Sequence, residues 1–315
     1  MRQQLIRAIC MTSDPRPQNL ARELALLLLL ATLWGASYTF IRVGLATIPP
    51  ITLIAARTAI AGIMLWAVMR WRGMRLPSDA ANWRRFLFQA CLNSVIPWTL
   101  LAFGERTLEA GLATILNSTS PIFTVLLSLA VSRREALASR KLVGVVIGMA
   151  GISLIVGVQA LGGFGQQLMA QILTVLAAVC YAGAAIFGRG FKNLDPIAPA
   201  AGSLICGAAI LIPASLSMER PWMLEPSTSS VLALIALAVF STALAFVIYF
   251  RLIRTLGSVG TTAQAYLRVP VGVAFGVMLL GERPSATAWI GLACVVVGVG
   301  AMTIPARKAM DATRA

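Results

Sequence analysis

Arg57 and Arg268 are the two cations of this chain that fall inside long apolar segments. A charged side chain at membrane depth is costly, so it faces a cavity or meets a partner. Arg268 lies well inside the apolar run that begins near residue 259. At 1.5 Å rise per residue this is close to the middle of a spanning helix. Thr261 and Gln264 precede it at helical spacing and share its face. A guanidinium held this way pairs with a carboxylate or phosphate. The duller alternative is a structural arginine bonded to helix carbonyls; we read Arg268 as a ligand group. Arg57 reads the other way, as a snorkelling or helix-locking arginine near the outer face.

Polar residues recur at helical spacing in two further segments. Asn117, Pro121, Thr124 and Ser128 form one face, and Gln89, Asn93 and Pro97 form another, with Trp98 beside them. Pro121 cannot bond the carbonyl of Asn117, and Pro97 and Pro270 interrupt their helices in the same way. Exposed amide and carbonyl groups suit substrate contact, and they equally suit hydrogen-bonded helix packing. Trp34, Tyr38, Trp98, Tyr181, Tyr249 and Tyr266 are interior aromatics. Either they pack the bundle or they stack on an organic ligand. The candidate binding residues are therefore Trp34, Tyr38, Asn93, Trp98, Asn117, Tyr181, Gln264, Tyr266 and Arg268. Arg57, Pro97, Pro121 and Pro270 are candidates for a structural role.

The missing residue types exclude other chemistry. There is no histidine, so no Ser-His-Asp triad and no zinc-histidine site. Five widely spaced cysteines form no CxxC pair. No metal or cofactor is expected. Asp and Glu are confined to loops, tails and helix ends. An intramembrane enzyme would need an acid, base or metal that the apolar segments do not supply. Coupling through a buried carboxylate or histidine is not expected either.

These side chains need helices to position them. Of 315 residues, 58% are hydrophobic and 12% charged, with mean hydropathy +0.84. Soluble domains average about 25% charged. Ten apolar runs are long enough to span about 30 Å of hydrocarbon: 22–45, 50–70, 85–104, 110–131, 142–158, 168–188, 196–216, 230–250, 259–280 and 286–304. The first is read as an uncleaved helix rather than a signal peptide. The expected fold is an all-α polytopic membrane protein. Of the 26 Lys and Arg, 20 fall on one side of strictly alternating spans. Four (Arg42, Arg106, Arg220 and Arg283) fall on the other. Basic loops stay inside, which places both termini in the cytoplasm of a plasma (inner) membrane protein. The +15 charge thus needs no nucleic acid.

The halves resemble each other. With Pro50 set on Pro196, Trp34 falls beside Tyr181; with Gly111 on Gly260, Pro121 falls on Pro270. Five helices per half invert the second copy. This gives a tail at 1–21, one repeat at 22–158, a linker at 159–167, a second repeat at 168–304 and a tail at 305–315. Glycines at 144, 148, 151, 291, 298 and 300 suit close packing within the bundle or a homodimer.

Several of these pieces, in this order, resemble a known family. They are Trp34-Gly35-Ala36-Ser37-Tyr38, Arg42-Val43-Gly44, Pro49-Pro50 and Ala55-Ala56-Arg57 in the first half. In the second they are Tyr249-Phe250-Arg251, Leu256-Gly257, Tyr266-Leu267, Pro270, Leu280-Gly281-Glu282-Arg283 and Gly291. Together they are similar to the EamA family of the drug/metabolite transporter superfamily. The resemblance implies ten transmembrane helices as two inverted five-helix repeats around a central cavity, lined by the first, third, fourth, sixth, eighth and ninth helices. It implies transport of small metabolites, often amino acids and often outward. Arg268 departs from it, because the family more often carries an acidic or neutral residue before that proline. The expected function is a secondary transporter of small polar metabolites: an amino-acid or related exporter or facilitator. Nucleotides, vitamins and sugar conjugates are the alternative substrates. A non-transporting assembly or signalling protein is the remaining alternative, and no soluble domain is there to serve it.

Overall fold

A computed structural model describes residues 20–104, 115–131, 139–156, 168–271 and 286–304. Regular structure among the described residues is helical, with no strand. In chain order the helices are α1 (Leu20–Gly44), α2 (Pro50–Trp71), α3 (80–104), α4 (Ser120–Val131) and α5 (Ser139–Val156). They continue with α6 (Leu168–Gly188), α7 (Ile197–Met218), α8 (Thr228–Thr255), α9 (257–271) and α10 (Ala286–Thr303). Six of these, α1, α2, α6, α7, α8 and α10, contain stretches long and apolar enough to cross a membrane. Their outward faces carry exposed residues such as Ile63, Leu176, Leu232 and Val296. A water-facing surface would not carry apolar area on that scale.

Local chemistry starts the helices where the sequence marks them. Pro50 follows Pro49 at the first position of α2, where a missing N–H costs nothing. The Glu219 carboxylate, at the end of α7, accepts from the Ile51 and Thr52 amides at 3.0 and 2.6 Å. It thereby caps α2 from another helix and favours the positive end of the dipole. Asp79 caps α3 and accepts from the Asn82 amide and side chain, both at 2.8 Å. Those bonds, the side-chain one foremost, hold its carboxyl below the ordinary aspartate range. Ser227 caps α8.

The halves pack reciprocally. α2 lies along α7 and α5 along α10, each helix against its counterpart in the other half. α1 packs on α8, and α3 on α6. Glycine makes the α5–α10 contact: a Cβ on Gly144 would stand 2.7 Å from the Gly298 carbonyl, and one on Gly298 2.6 Å from the Gly144 carbonyl. Gly151 and Gly291 repeat the arrangement one pair further along. Of the six glycines expected to serve the bundle or a homodimer, all but Gly300 lie at contacts between helices of this chain. Gly298→Val is expected to destabilise the protein by about 1–3 kcal/mol, the usual cost of overpacking. A thermal melt in detergent reads this; an unchanged midpoint contradicts the packing.

α1 and α8 run antiparallel and are bonded at three levels. Ser230 Oγ donates to the Val43 carbonyl at 2.9 Å. Midway, Trp34 Nε1 donates to the Ser241 carbonyl at 3.1 Å, and Ser241 Oγ to the Leu33 carbonyl at 2.7 Å. At the far end Arg251 Nη2 meets Glu23 Oε1 at 2.6 Å, with Thr255 Oγ1 on the other carboxylate oxygen at 2.9 Å. Glu23 is buried, and this pairing is what makes a carboxylate tolerable there.

Two helices contain a π turn: α3 at Cys91–Val95 and α8 at Val239–Leu244. In α3 the Ile96 amide reaches five residues back to the Cys91 carbonyl. In α8 the Ala245 amide does the same to Phe240. Such turns redirect the side chains they carry and recur at functional sites. A helical turn at 115–117 stops at Ser118–Thr119, and α4 begins at Ser120 with Pro121 in its first turn, where the missing donor is tolerated.

Candidate functional site

A cavity of about 850 Å³ lies among these helices. Its depth is set by Trp34 on α1, Arg57 on α2, Asn93 and Trp98 on α3, Tyr181 on α6, Phe246 and Tyr249 on α8, and Gln264 and Arg268 on α9. Asn117, in the helical turn at 115–117 ahead of α4, joins them. Leu45–Pro50, the stretch between α1 and α2, lines its mouth.

The two arginines are held alike. Arg268 Nε donates to Gln264 Oε1 at 2.8 Å, one helical turn away, and its Cζ lies 5.0 Å from the Trp34 ring centre. Arg57 Nε donates to Thr242 Oγ1 at 3.1 Å, in the π turn of α8, and its Cζ lies 3.9 Å from the Trp98 ring centre. Each guanidinium is thus fixed by one hydrogen bond and one indole face. A desolvated cation–π contact is worth about 2 kcal/mol. Phe246 sits edge-on to both indoles, 6.5 Å from Trp34 and 6.3 Å from Trp98. The result is an aromatic floor with a guanidinium at each side. No aspartate or glutamate lines the cavity among the described residues.

The amides add buried polar atoms that have no protein partner. Asn93 is 4% exposed, and its Nδ2 is unbonded; Asn117 Oδ1 is unbonded too. An unsatisfied buried polar atom costs about 1–3 kcal/mol, a cost that a bound polar ligand or water removes.

Beyond the floor the cavity is closed by rings. Tyr249 stacks on Phe250 at 5.3 Å, Phe250 on Phe191 at 6.0 Å, Phe191 on Phe86 at 5.5 Å, and Phe86 on Trp83 at 5.9 Å. Arg85 covers Phe191 and donates to the Gly190 carbonyl at 2.5 Å. This plug joins α8, the turn after α6 and the start of α3.

The structure brings seven of the nine candidate binding residues to the cavity: Trp34, Asn93, Trp98, Asn117, Tyr181, Gln264 and Arg268. The side chain of Tyr38 lies outside the described residues. Tyr266 does not line the cavity. It is fully buried, packs over Gly148 and donates its hydroxyl to the Val145 carbonyl at 3.1 Å. It joins α9 to α5, a structural task. Thr261, expected to share the face of Arg268, bonds back to the Gly257 carbonyl, and Thr262 takes the lining place. The helix breaks at Ala263, so spacing across that turn misjudges the face. Arg57, expected only to lock helices, does lock α2 to α8 but also lines the cavity. Pro97 and Pro121 are buried behind the lining, and Pro270 lies in the helical stretch 264–271. Phe246, Ser37 and the π turn of α8 were not singled out. Their only sequence signal is Ser241-Thr242 within an apolar run.

Comparison with known proteins agrees with this architecture. The model of the EamA-like transporter family matches twice, over residues 21–157 and 168–304. The chain is 30% identical over 277 residues to the uncharacterised inner membrane transporter YedA of Escherichia coli, covering 86% of this chain and 87% of that one. It is 25% identical to the uncharacterised transporter YoaV of Bacillus subtilis, covering 88% and 95%. It is also 25% identical to a probable terminal-alkyne amino-acid exporter of Streptantibioticus cattleyicolor, covering 89% and 93%. A solved crystal structure shares the fold with a TM-score of 0.76 at 18% identity, over 91% of this chain and 99% of that one.

Proposed function

We infer the function from the premise that the chain belongs to the EamA-like transporter family and is a multi-pass membrane protein. We propose that it is a secondary transporter of small polar metabolites bearing a carboxylate, drawn from amino acids and related carboxylic acids. The observation that carries this is the cavity: two fixed guanidiniums, an aromatic floor, unpartnered amide atoms and no acidic side chain among the described lining. Arg268 would take the carboxylate, Asn93, Asn117 and Gln264 would orient the polar part, and Trp34 with Tyr181 would pack the organic part. The amino-acid exporter among its relatives supports the class.

The proposed frame is ten spans in two inverted repeats, with both termini on the cytoplasmic side of the inner membrane. The reciprocal pairing of α2 with α7 and α5 with α10 supports it, as do π turns in the third and eighth helices. So does the gathering of 20 Lys and Arg on one side. In that orientation the Leu45–Pro50 mouth faces outward and the aromatic plug seals the cytoplasmic end. Alternating access would then exchange the open end for the closed one. With no acid among the described lining residues, proton coupling is not expected.

Flux into proteoliposomes from a pool of radiolabelled amino acids and short organic acids, with and without a pH gradient, tests this. Uptake without a gradient is expected. Uptake that strictly requires the gradient contradicts uncoupled movement, and no uptake of any pool member contradicts the substrate class.

A further inference from the structure

The cavity has a charge imbalance that bears on which carboxylates it takes. A free amino acid brings an ammonium as well as a carboxylate. An ammonium moved out of water needs an anion, several acceptors or an aromatic face. Among the described lining residues no carboxylate is present. Trp34 and Trp98, the two indoles of the floor, already each hold a guanidinium against one face, at 5.0 and 3.9 Å. A third cation beside them meets like-charge repulsion in a poorly screened site. The unspent groups are chiefly donors: the outer nitrogens of two arginines, whose Nε atoms are engaged by Gln264 and Thr242, and the unpartnered Nδ2 of buried Asn93, against one unpartnered amide acceptor, Asn117 Oδ1. Donors in excess around an apolar floor fit an anion with an uncharged body.

We propose that the cavity is selective for organic carboxylates that lack an ammonium group, such as 2-oxo acids, deaminated or N-acylated amino-acid derivatives, over the corresponding zwitterions and amines. This narrows the substrate class proposed above and rests on the same cavity being the transport site. Arg57 becomes a specificity determinant in it: with Arg268 it leaves two cations to be balanced where one would suit a zwitterion.

The test is calorimetric titration of the full-length detergent-solubilised protein with matched ligands. One set is 3-phenylpropanoate, phenylalanine and phenethylamine; a second pair is 4-methylpentanoate and leucine. At least one anion is expected to bind about tenfold or more tighter than its zwitterion, and the amine is expected to give no heat. Asn117→Asp, which places a carboxylate in the lining, is expected to raise affinity for the zwitterion and lower it for the anion. Zwitterions binding as tightly as the anions, binding of the amine, or no heat from either anion overturns the proposal. Counterflow of the same labelled ligands separates the two readings. Leucine or phenylalanine moving in preference to the anions leaves transport standing and removes anion selectivity. Anions that bind tightly but never cross leave selectivity standing and remove transport.

Discussion

Arg268→Gln is expected to weaken binding of a carboxylate ligand by roughly 10- to 100-fold, the worth of a charge-assisted hydrogen bond of about 1.5–3 kcal/mol. The size of the effect follows from how the side chain is held. Gln264 fixes the guanidinium at Nε, and Trp34 supports it on its face, so its outer nitrogens are aimed before the ligand arrives. Little ordering cost remains to be met on binding. Glutamine has nearly the helix propensity of arginine, so α9 itself should be unaffected. Arg268→Lys keeps the charge but loses the planar fork and the stacking, and should fall between the two. Calorimetric affinity for the tightest anion of the panel is the readout. Equal affinity in wild type and Arg268→Gln contradicts the role.

Phe191→Ala is expected to open the closed end of the cavity. Phe191 is 3% exposed and sits at the centre of the plug, touching Phe86, Phe187 and Phe250. Deleting a buried phenylalanine costs the state that buries it about 3–5 kcal/mol. A state that already separates these rings loses far less. The difference biases the equilibrium toward it by two or more powers of ten, on the order of what converts a minor state into the major one. Spin labels at Arg84→Cys and Arg254→Cys, both exposed at that end, report the separation of α3 from α8. The expected result is a longer and broader distance distribution in Phe191→Ala. A distribution identical to that of the parent contradicts the plug as a gate.

How far the sequence led depended on whether a residue's signal was local. Asn93, Asn117 and Arg268 stand out because a polar group in an apolar run has few places to go, and the cavity is where they are found. Gln264 and Arg268 share a face because no break separates them, and their hydrogen bond follows. Tyr266 was chosen as an interior aromatic, without regard to its face. It lies two residues from Gln264, which turns it to the opposite side, toward Gly148 of α5. Periodicity says that two positions face apart; it does not say which of them meets the cavity. Arg57 was half legible. That it would lock helices followed from burial, but its partner Thr242 is 185 positions away and sits in a π turn. Such turns arise from one extra residue between hydrogen-bonded pairs and leave no fixed residue signature. Pro97 marks the turn in α3; nothing comparable marks the one in α8. The plug was invisible for a related reason. Phe86, Phe191 and Phe250 are unremarkable apolar residues until tertiary packing stacks them.

We propose this cavity as the route of the substrate. Ile54 lines it near the mouth and is half-buried. In proteoliposomes carrying Ile54→Cys on a cysteine-free background, a membrane-impermeant methanethiosulfonate should block uptake of the transported carboxylate. The substrate itself should slow that reaction. Complete modification of the cysteine with undiminished flux would place the route elsewhere.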